Sequence, residues 1–323
     1  MKKYNYFFVG LGIALFFICS LVLISSKETE NDEVPPSLIP PSAVSVAIPD
    51  DVEFCGNRLS LDRLDLRERF DREINSLTYL HGTMLMYIKR ANRFFPVIEP
   101  VLKKNGIPGD FKYLCVVESG LDTRALSPAK AAGLWQFMEQ TGKSYNLEIT
   151  GEVDERYHVE KATEAACHYL KSAYTRYGNW VDVAAAYNAG MQRISSEMEK
   201  QQVGSALDLL LVSETSRYVF RILAMKMIFE NPARYGFILK KENLYPPVAV
   251  RYVEVTANID DLALFAKENG INYMQLKEFN VWLRDTKLKV PQGKSYRIAI
   301  PQKEDLYYNR RKIKVHDDVW ISR

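Results

Sequence analysis

Cysteine and histidine are scarce in this chain, with four of each among 323 residues. His81, His158, His168 and His316 are scattered, and no Cys-x-x-Cys pair or Cys/His cluster occurs, so nothing reads as a metal site. Setting Cys19 aside leaves Cys55, Cys115 and Cys167, an odd number that cannot all pair within the chain. Cys115 and Cys167 fall on apolar helical faces, where a free thiol acts as a small buried hydrophobe. An excess of one charge is also lacking. The net charge of +3 comes without any Lys/Arg run interleaved with aromatics, which argues against a nucleic-acid partner. The basic stretch "NRRKIK" (309–314) reads as a solvated tail. With 47% hydrophobic and 26% charged residues, the chain is ordinary globular material sufficient for one large or two modest domains.

Long hydrophobic runs are absent except at the N-terminus. Lys2 and Lys3 precede the uncharged segment "YNYFFVGLGIALFFICSLVLI" (4–24), long enough to cross a bilayer, with Ser25 and Ser26 behind it. Residues 1–26 therefore read as a cleaved signal peptide or a retained membrane anchor, and the protein as exported to the periplasm or cell envelope. Bulky Ile18 before Cys19 argues against lipid attachment. Residues 27–58 are polar and Pro-rich, the composition of a tether.

From Leu59 the grammar is helical. Leu66, Phe70, Ile74 and Leu77 form one apolar stripe. Pro96 is expected to open a helix that Gly106 closes, with Val97, Val101 and Leu102 facing inward. Asp110 is expected to cap "FKYLCVVE". Further helices are expected at 134–145, 159–177, 180–188, 205–211 and 215–230, with Gly178 as a stop and Asn179 as a cap. No strand of comparable quality precedes Val248. After Pro246-Pro247 the order becomes strand (250–257), helix (259–270), helix (272–280) and strand (294–301). The expected fold is mostly α: a helical domain at 59–245, a small β-α-α-β module at 246–303 and a tail at 304–323.

The segment "FKYLCVVESGLDTRALSPAKAAGLWQF" (111–137) sets one carboxylate, Glu118, at the end of an apolar helix that Gly120 terminates. Apolar surroundings and the negative end of the helix dipole both disfavour its charged form, so a raised pKa is expected. Such a carboxyl can protonate a leaving oxygen, as in glycosidases. An isolated glutamate in this setting is more often an ordinary helix-end residue.

The residues beyond Glu118 shift that balance. "ESGLDTRALSPAKAAGLWQFMEQTG", then "AAAYNAG" (184–190) and "ETSRYV" (214–219), resemble the lysozyme-like lytic transglycosylase (SLT-domain) family, most of all its membrane-bound D-type members, over about residues 60–240. The resemblance implies a lysozyme-like helical domain acting on peptidoglycan glycan strands, with no cofactor. It implies that Glu118 is the sole catalytic acid/base and that Ser119 supports it. Ser127 would contact the sugar beside the cleaved bond, and Gln136 and Met138 would line the glycan groove. Tyr187 and Asn188 belong to "AYNAG", a substrate-binding motif whose tyrosine would approach the glutamate, and Tyr218 would be a second aromatic near the reaction centre. Trp135 and Phe137 read as core in a helical context, Gly133 and Gly190 as sites of close backbone approach, and Asp182 as a first-turn helix acid. His158 and His168 read as structural or exposed. Three positions depart from the family pattern: Lys130 replaces a usual Gly, Glu139 a usual Pro, and His158 a common Asp.

A glycosidase normally pairs two carboxylates, and no second matched acid appears. In the family the substrate supplies the nucleophile: the muramoyl 6-hydroxyl attacks C1 and closes a 1,6-anhydro ring. Two alternatives stay open, a goose-lysozyme-like hydrolase and a non-catalytic peptidoglycan-binding protein. The C-terminal module resembles a degenerate LysM fold, either a glycan binder or a packing module; "TANIDDL" replaces its usual sugar-contacting loop.

Overall fold

The computed structural model describes residues 44–321. The apolar segment 4–24 and most of the 27–58 tether lie outside the described residues. Among those described, no helix is long and apolar enough to cross a membrane.

The architecture is mostly α, closed by a small β-α-α-β module. An antiparallel hairpin, β1 (Asp51–Phe54) and β2 (Asn57–Ser60), precedes α1 (Leu64–Thr78). Leu66, Phe70, Ile74 and Leu77 are all buried, the stripe expected from their spacing. Next comes α2 (His81–Lys104), which runs through Pro96 and Pro100 rather than starting at Pro96. Met84, Ile88, Ala91, Phe95, Ile98 and Leu102 keep one buried stripe on both sides of the prolines. That continuous burial outweighs the local penalty of an internal proline, about 3 kcal/mol. Val97 and Val101 are only partly buried, so the inward stripe is Phe95, Ile98 and Leu102.

Short α3 (Phe111–Ser119) carries the candidate glutamate. Asp110 does not cap it through its side chain. Its Oδ2 instead accepts from the Cys55 backbone N–H (2.7 Å) and from Lys226 Nζ (2.8 Å). Lys226, almost fully buried, also bonds Glu53, so this cluster fastens the hairpin to the helical core. The expectation of no strand before Val248 fails here because these tethers are long-range and leave no local pattern.

Residues expected to be helical from 134 form a compact turn, and only Glu139–Ser144 is helix (α4). Then come α5 (Val159–Tyr177), α6 (Trp180–Ala189) and α7 (Met191–Gln201). Gly178 ends α5 in the left-handed region, and the Asn179 side chain caps α6, as expected. Only a single short turn (Ala206–Asp208) stands where 205–211 was expected helical. The helix α8 (Ser213–Glu230) is buried along most of its length and packs against α1, α3 and α6.

In the C-terminal module, β3 (Val250–Val255) and β4 (Tyr296–Pro301) pair antiparallel, with α9 (Leu262–Glu268) and α10 (Tyr273–Phe279) between them. Its core includes Leu262, Leu276, Leu283 and Ile298, and it is completed by Ala132, Val153 and Tyr157 of the helical domain. Backbone bonds from Asp154 N to Trp282 O (2.8 Å) and from Arg284 N to Glu152 O (2.7 Å) join the two. The basic tail is not simply solvated. Ile313 and Trp320 are buried against the helical core, and Trp320 Nε1 donates to Phe229 O at 3.0 Å.

Candidate active site

Glu118 occupies the last turn of α3, and its position is set by how that helix stops. Gly120 has φ of 59°, and an added Cβ would meet the Tyr87 ring at 2.1 Å, so only glycine fits. The Ser119 hydroxyl donates to Cys115 O (3.3 Å) and accepts from Leu121 N (3.2 Å). Ser119 therefore secures the helix end rather than bonding the carboxylate directly.

Glu118 keeps partial exposure to solvent. Burial is the strongest influence on it and pushes the pKa up to about 7. A hydrogen bond from the Tyr218 hydroxyl to Oε1 opposes that rise, Glu214 adds to it, and Arg221 opposes it. Burial and the Glu118 charge hold the Tyr218 phenol well above its ordinary range, so it remains a proton-bearing donor. A carboxyl poised near neutrality can give and take a proton within one cycle.

Tyr187 lies close enough for the Glu118 charge to help raise its pKa, after burial. Its hydroxyl donates to Trp135 O at 2.8 Å, so it anchors the turn that carries Trp135. Asn188, next on α6, is half-buried.

The wall formed by residues 125–138 is held by its own backbone. Bonds run from Ser127 N to Ala131 O (2.9 Å), Ala132 N to Phe137 O (3.0 Å) and Gly133 N to Ala125 O (2.9 Å). Ser127 Oγ accepts from Ala131 N (3.0 Å), and Gln136 Nε2 donates to Gly133 O (2.8 Å). Trp135 and Phe137 point into the core, while Met138 is exposed at the start of α4. Gly133 meets the expected close approach, because an added Cβ would sit 1.9 Å from Arg156 O. Gly190 does not; space around it is open, and its φ of 87° is what calls for glycine.

The three departures sit where backbone geometry explains the family's usual residue. Lys130 has φ of 66°, which favours Gly. Glu139 is the first residue of α4, a position that suits Pro. His158 is the N-cap of α5, where Asp would serve; its ring nitrogen accepts from Lys161 N at 3.5 Å. Burial, chiefly, pushes the His158 pKa down to about 4, and the ring lies 5.9 Å from that of Trp282.

Sequence reasoning missed three supports. Arg156, buried, forks onto Asp154 (3.0 and 2.7 Å) and donates to Lys130 O (2.9 Å) and Phe137 O (3.1 Å), pinning the 125–138 loop at two points. Glu73, buried in the α1 stripe, binds Arg217 and Arg221 (3.0 Å), which flank Tyr218 on α8. A charged residue inside that stripe was the available signal. Glu214, one turn before Tyr218, is the other carboxylate whose field reaches Glu118. Asp182 is buried and bonds Asn179 and the Ala206 N–H, a structural role. Among the described residues no group of three or more His, Cys, Asp or Glu is placed to hold a metal ion.

The site thus holds one carboxyl poised near neutrality and bonded by a tyrosine hydroxyl, able to act as a proton donor and acceptor. Residues 96–207 match the transglycosylase SLT domain, and residues 251–304 match the soluble lytic transglycosylase C-terminal LysM-like domain. The two matches lie in order along one chain, an SLT domain followed by a LysM-like domain. The chain is similar to membrane-bound lytic murein transglycosylase D of Escherichia coli (strain K12), at 31% identity over 260 residues, covering 77% of this chain and 55% of that protein. A putative tributyltin chloride resistance protein of Alteromonas sp. (strain M-1) is 28% identical over 123 residues, 37% of this chain and 59% of that protein. The chain thus spans little more than half the length of these curated relatives. Among solved structures, the 70 kDa soluble lytic transglycosylase SLT70 from Escherichia coli matches with a TM-score of 0.39 at 22% identity, over 51% of this chain and 29% of that one.

Proposed function

We propose that the protein cleaves the β-1,4 bond between N-acetylmuramic acid and N-acetylglucosamine in peptidoglycan, leaving 1,6-anhydro-N-acetylmuramoyl ends. The observation that carries this reading is the Glu118 carboxyl, pushed up to about 7 and bonded by Tyr218. Protonated Glu118 gives its proton to the glycosidic oxygen as the C1–O bond breaks. The resulting carboxylate then takes the proton of the muramoyl 6-hydroxyl, whose oxygen closes on C1. Glu118 ends protonated and no water is consumed. Intramolecular attack has a large proximity advantage over a bimolecular one. Tyr218 stabilises the transient carboxylate. Ser127, Gln136, Met138 and Asn188 hold the sugar rings, while Ser119 and Tyr187 position the helix end and the turn that face them.

The helical domain at 59–245 acts as the catalytic unit, and the 246–303 module serves as its brace. The apolar segment 4–24 and the membrane-bound relative support a place in the cell envelope. Glu214 favours a second reading, hydrolysis, since a carboxylate near the acid could activate water. Replacement Glu118→Gln tests the shared core of both readings. Cleavage of purified sacculi should fall at least about a hundredfold with an unchanged far-UV spectrum; activity within tenfold of wild type would remove Glu118 from its role.

A further inference from the structure

Between the helical domain and the β-α-α-β module lies a cavity of about 220 Å³ that takes no part in the chemistry above. Its helical wall carries Arg93 and Val97 of α2, and its module wall carries Trp282 and Arg297.

Its charges are incompletely used. Arg93 is half-buried; its Nε donates to the Pro246 carbonyl at 3.1 Å and its guanidinium lies 5.5 Å from the Tyr245 ring centroid. The Arg297 guanidinium lies 4.2 Å from the centroid of Tyr252. Among the described residues neither arginine forms an ion pair with a carboxylate. Burial holds Arg93 below its ordinary pKa range. Glu278, already paired with Arg124, reaches Arg93 through its charge but forms no ion pair with it; a partly desolvated guanidinium so placed can bind an arriving carboxylate through two parallel hydrogen bonds. Glu160 also lines the cavity and makes no ion pair among the described residues, so a cationic group has a partner as well. The cavity complements a small ligand carrying both carboxylate and amine on an apolar backbone.

Its position relative to Glu118 narrows the ligand further. Thr123 lines the cavity and lies five residues beyond Glu118. Chain geometry alone limits their Cα separation to about 18 Å. Neighbouring Arg124 is ion-paired with Glu278 of α10, which ties this loop to the module at the cavity rim. An extended peptide of four or five residues covers about 13–18 Å. Muramoyl residues of peptidoglycan carry a short peptide of that length, rich in carboxylates and bearing a free amine.

We propose that the cavity between the two modules is a recognition site for the peptide attached to the muramoyl residue. The inference rests on the peptidoglycan reading above for its ligand class. The LysM-like module then supplies half of a peptide site, and its fixed seat on the helical domain keeps the two halves in register.

The test titrates the full-length chain in detergent with the free stem peptide L-alanyl-γ-D-glutamyl-meso-diaminopimelate, followed by calorimetry. Wild type should bind it saturably. Arg297→Gln, which removes one exposed charge, should raise Kd roughly tenfold. Val97→Trp, which fills the cavity, should abolish binding. In parallel, wild type should cleave peptide-bearing strands faster than amidase-stripped strands. Both variants should lose that preference while cutting stripped strands at the wild-type rate. Absence of saturable binding to wild type, or unchanged binding and preference in both variants, would overturn the proposal. If wild type cut neither strand, the transglycosylase reading would fall instead, and the peptide titration would still decide the cavity.

Discussion

Glu118→Gln should make the folded protein more stable at alkaline pH and leave its stability at acid pH unchanged. Folding raises the Glu118 pKa from an ordinary 4.5 to about 7. Below about 4.5 the carboxyl is protonated whether the chain is folded or unfolded, and glutamine is a close isostere of that neutral form. Between 4.5 and about 7 the unfolded chain releases its proton and the folded protein does not, so wild type loses stability as pH rises. Above 7 the loss is complete. Each pH unit between the two values corresponds to about 1.4 kcal/mol, so the full loss is about 3 kcal/mol. The amide has no proton to release and escapes it. Unfolding entropy of about 2.1 cal/mol/K per residue, taken over about 280 residues, converts this to a Tm difference of about 5 °C. Calorimetric melts of both proteins at pH 4 and pH 8.5 measure it, and every other titrating group cancels in the comparison. Equal melting temperatures at both pH values, or a variant less stable than wild type at pH 8.5, would refute the claim that burial dominates the Glu118 site.

Tyr218→Phe removes a direct hydrogen bond that favours the Glu118 carboxylate. The alkaline limb of the pH–rate profile should move upward by about 1–2 pH units while the maximal rate falls; a limb that moves downward would contradict the assigned donor. Gly133→Ala forces a side chain into a left-handed conformation with its Cβ 1.9 Å from Arg156 O. It should cost more than about 2 kcal/mol in urea unfolding and impair cleavage by displacing Gln136.

Much of the fold was legible because it is periodic. The Leu66–Leu77 stripe, the Gly178 stop with its Asn179 cap, and the β-α-α-β order each rest on local patterns that survive in the structure. Pro96 misled because proline signals a local cost, whereas burial on both sides of it is a sum over six residues of α2. The 51–60 hairpin and the 313–320 contacts were hidden because Lys226, Asp110, Asn92 and Trp320 act across long sequence separations. The apolar letters of "LWQF" suggested a helix, but positive φ at Gly133 and Gln136 makes them a turn. At the site, the apolar run and Gly120 pointed to a raised pKa at Glu118, whereas its candidacy as the catalytic acid came from the family motifs behind it. The family motif pointed to Tyr218 but could not say that its hydroxyl meets the carboxylate. The local Asp154–Arg156 pair gave no hint of its role, because the carbonyls of Lys130 and Phe137 that Arg156 also binds are brought to it only by folding.

The measurement that bears most directly on the central claim is mass analysis of the glycan ends released from purified sacculi. If the muramoyl 6-hydroxyl is the nucleophile and Glu118 its base, each muropeptide should be lighter by one water than its lysozyme counterpart and resist borohydride reduction. Products dominated by hydrated, reducible ends would assign water as the nucleophile, point to Glu118 and Glu214 as a hydrolytic pair, and contradict the transglycosylase mechanism.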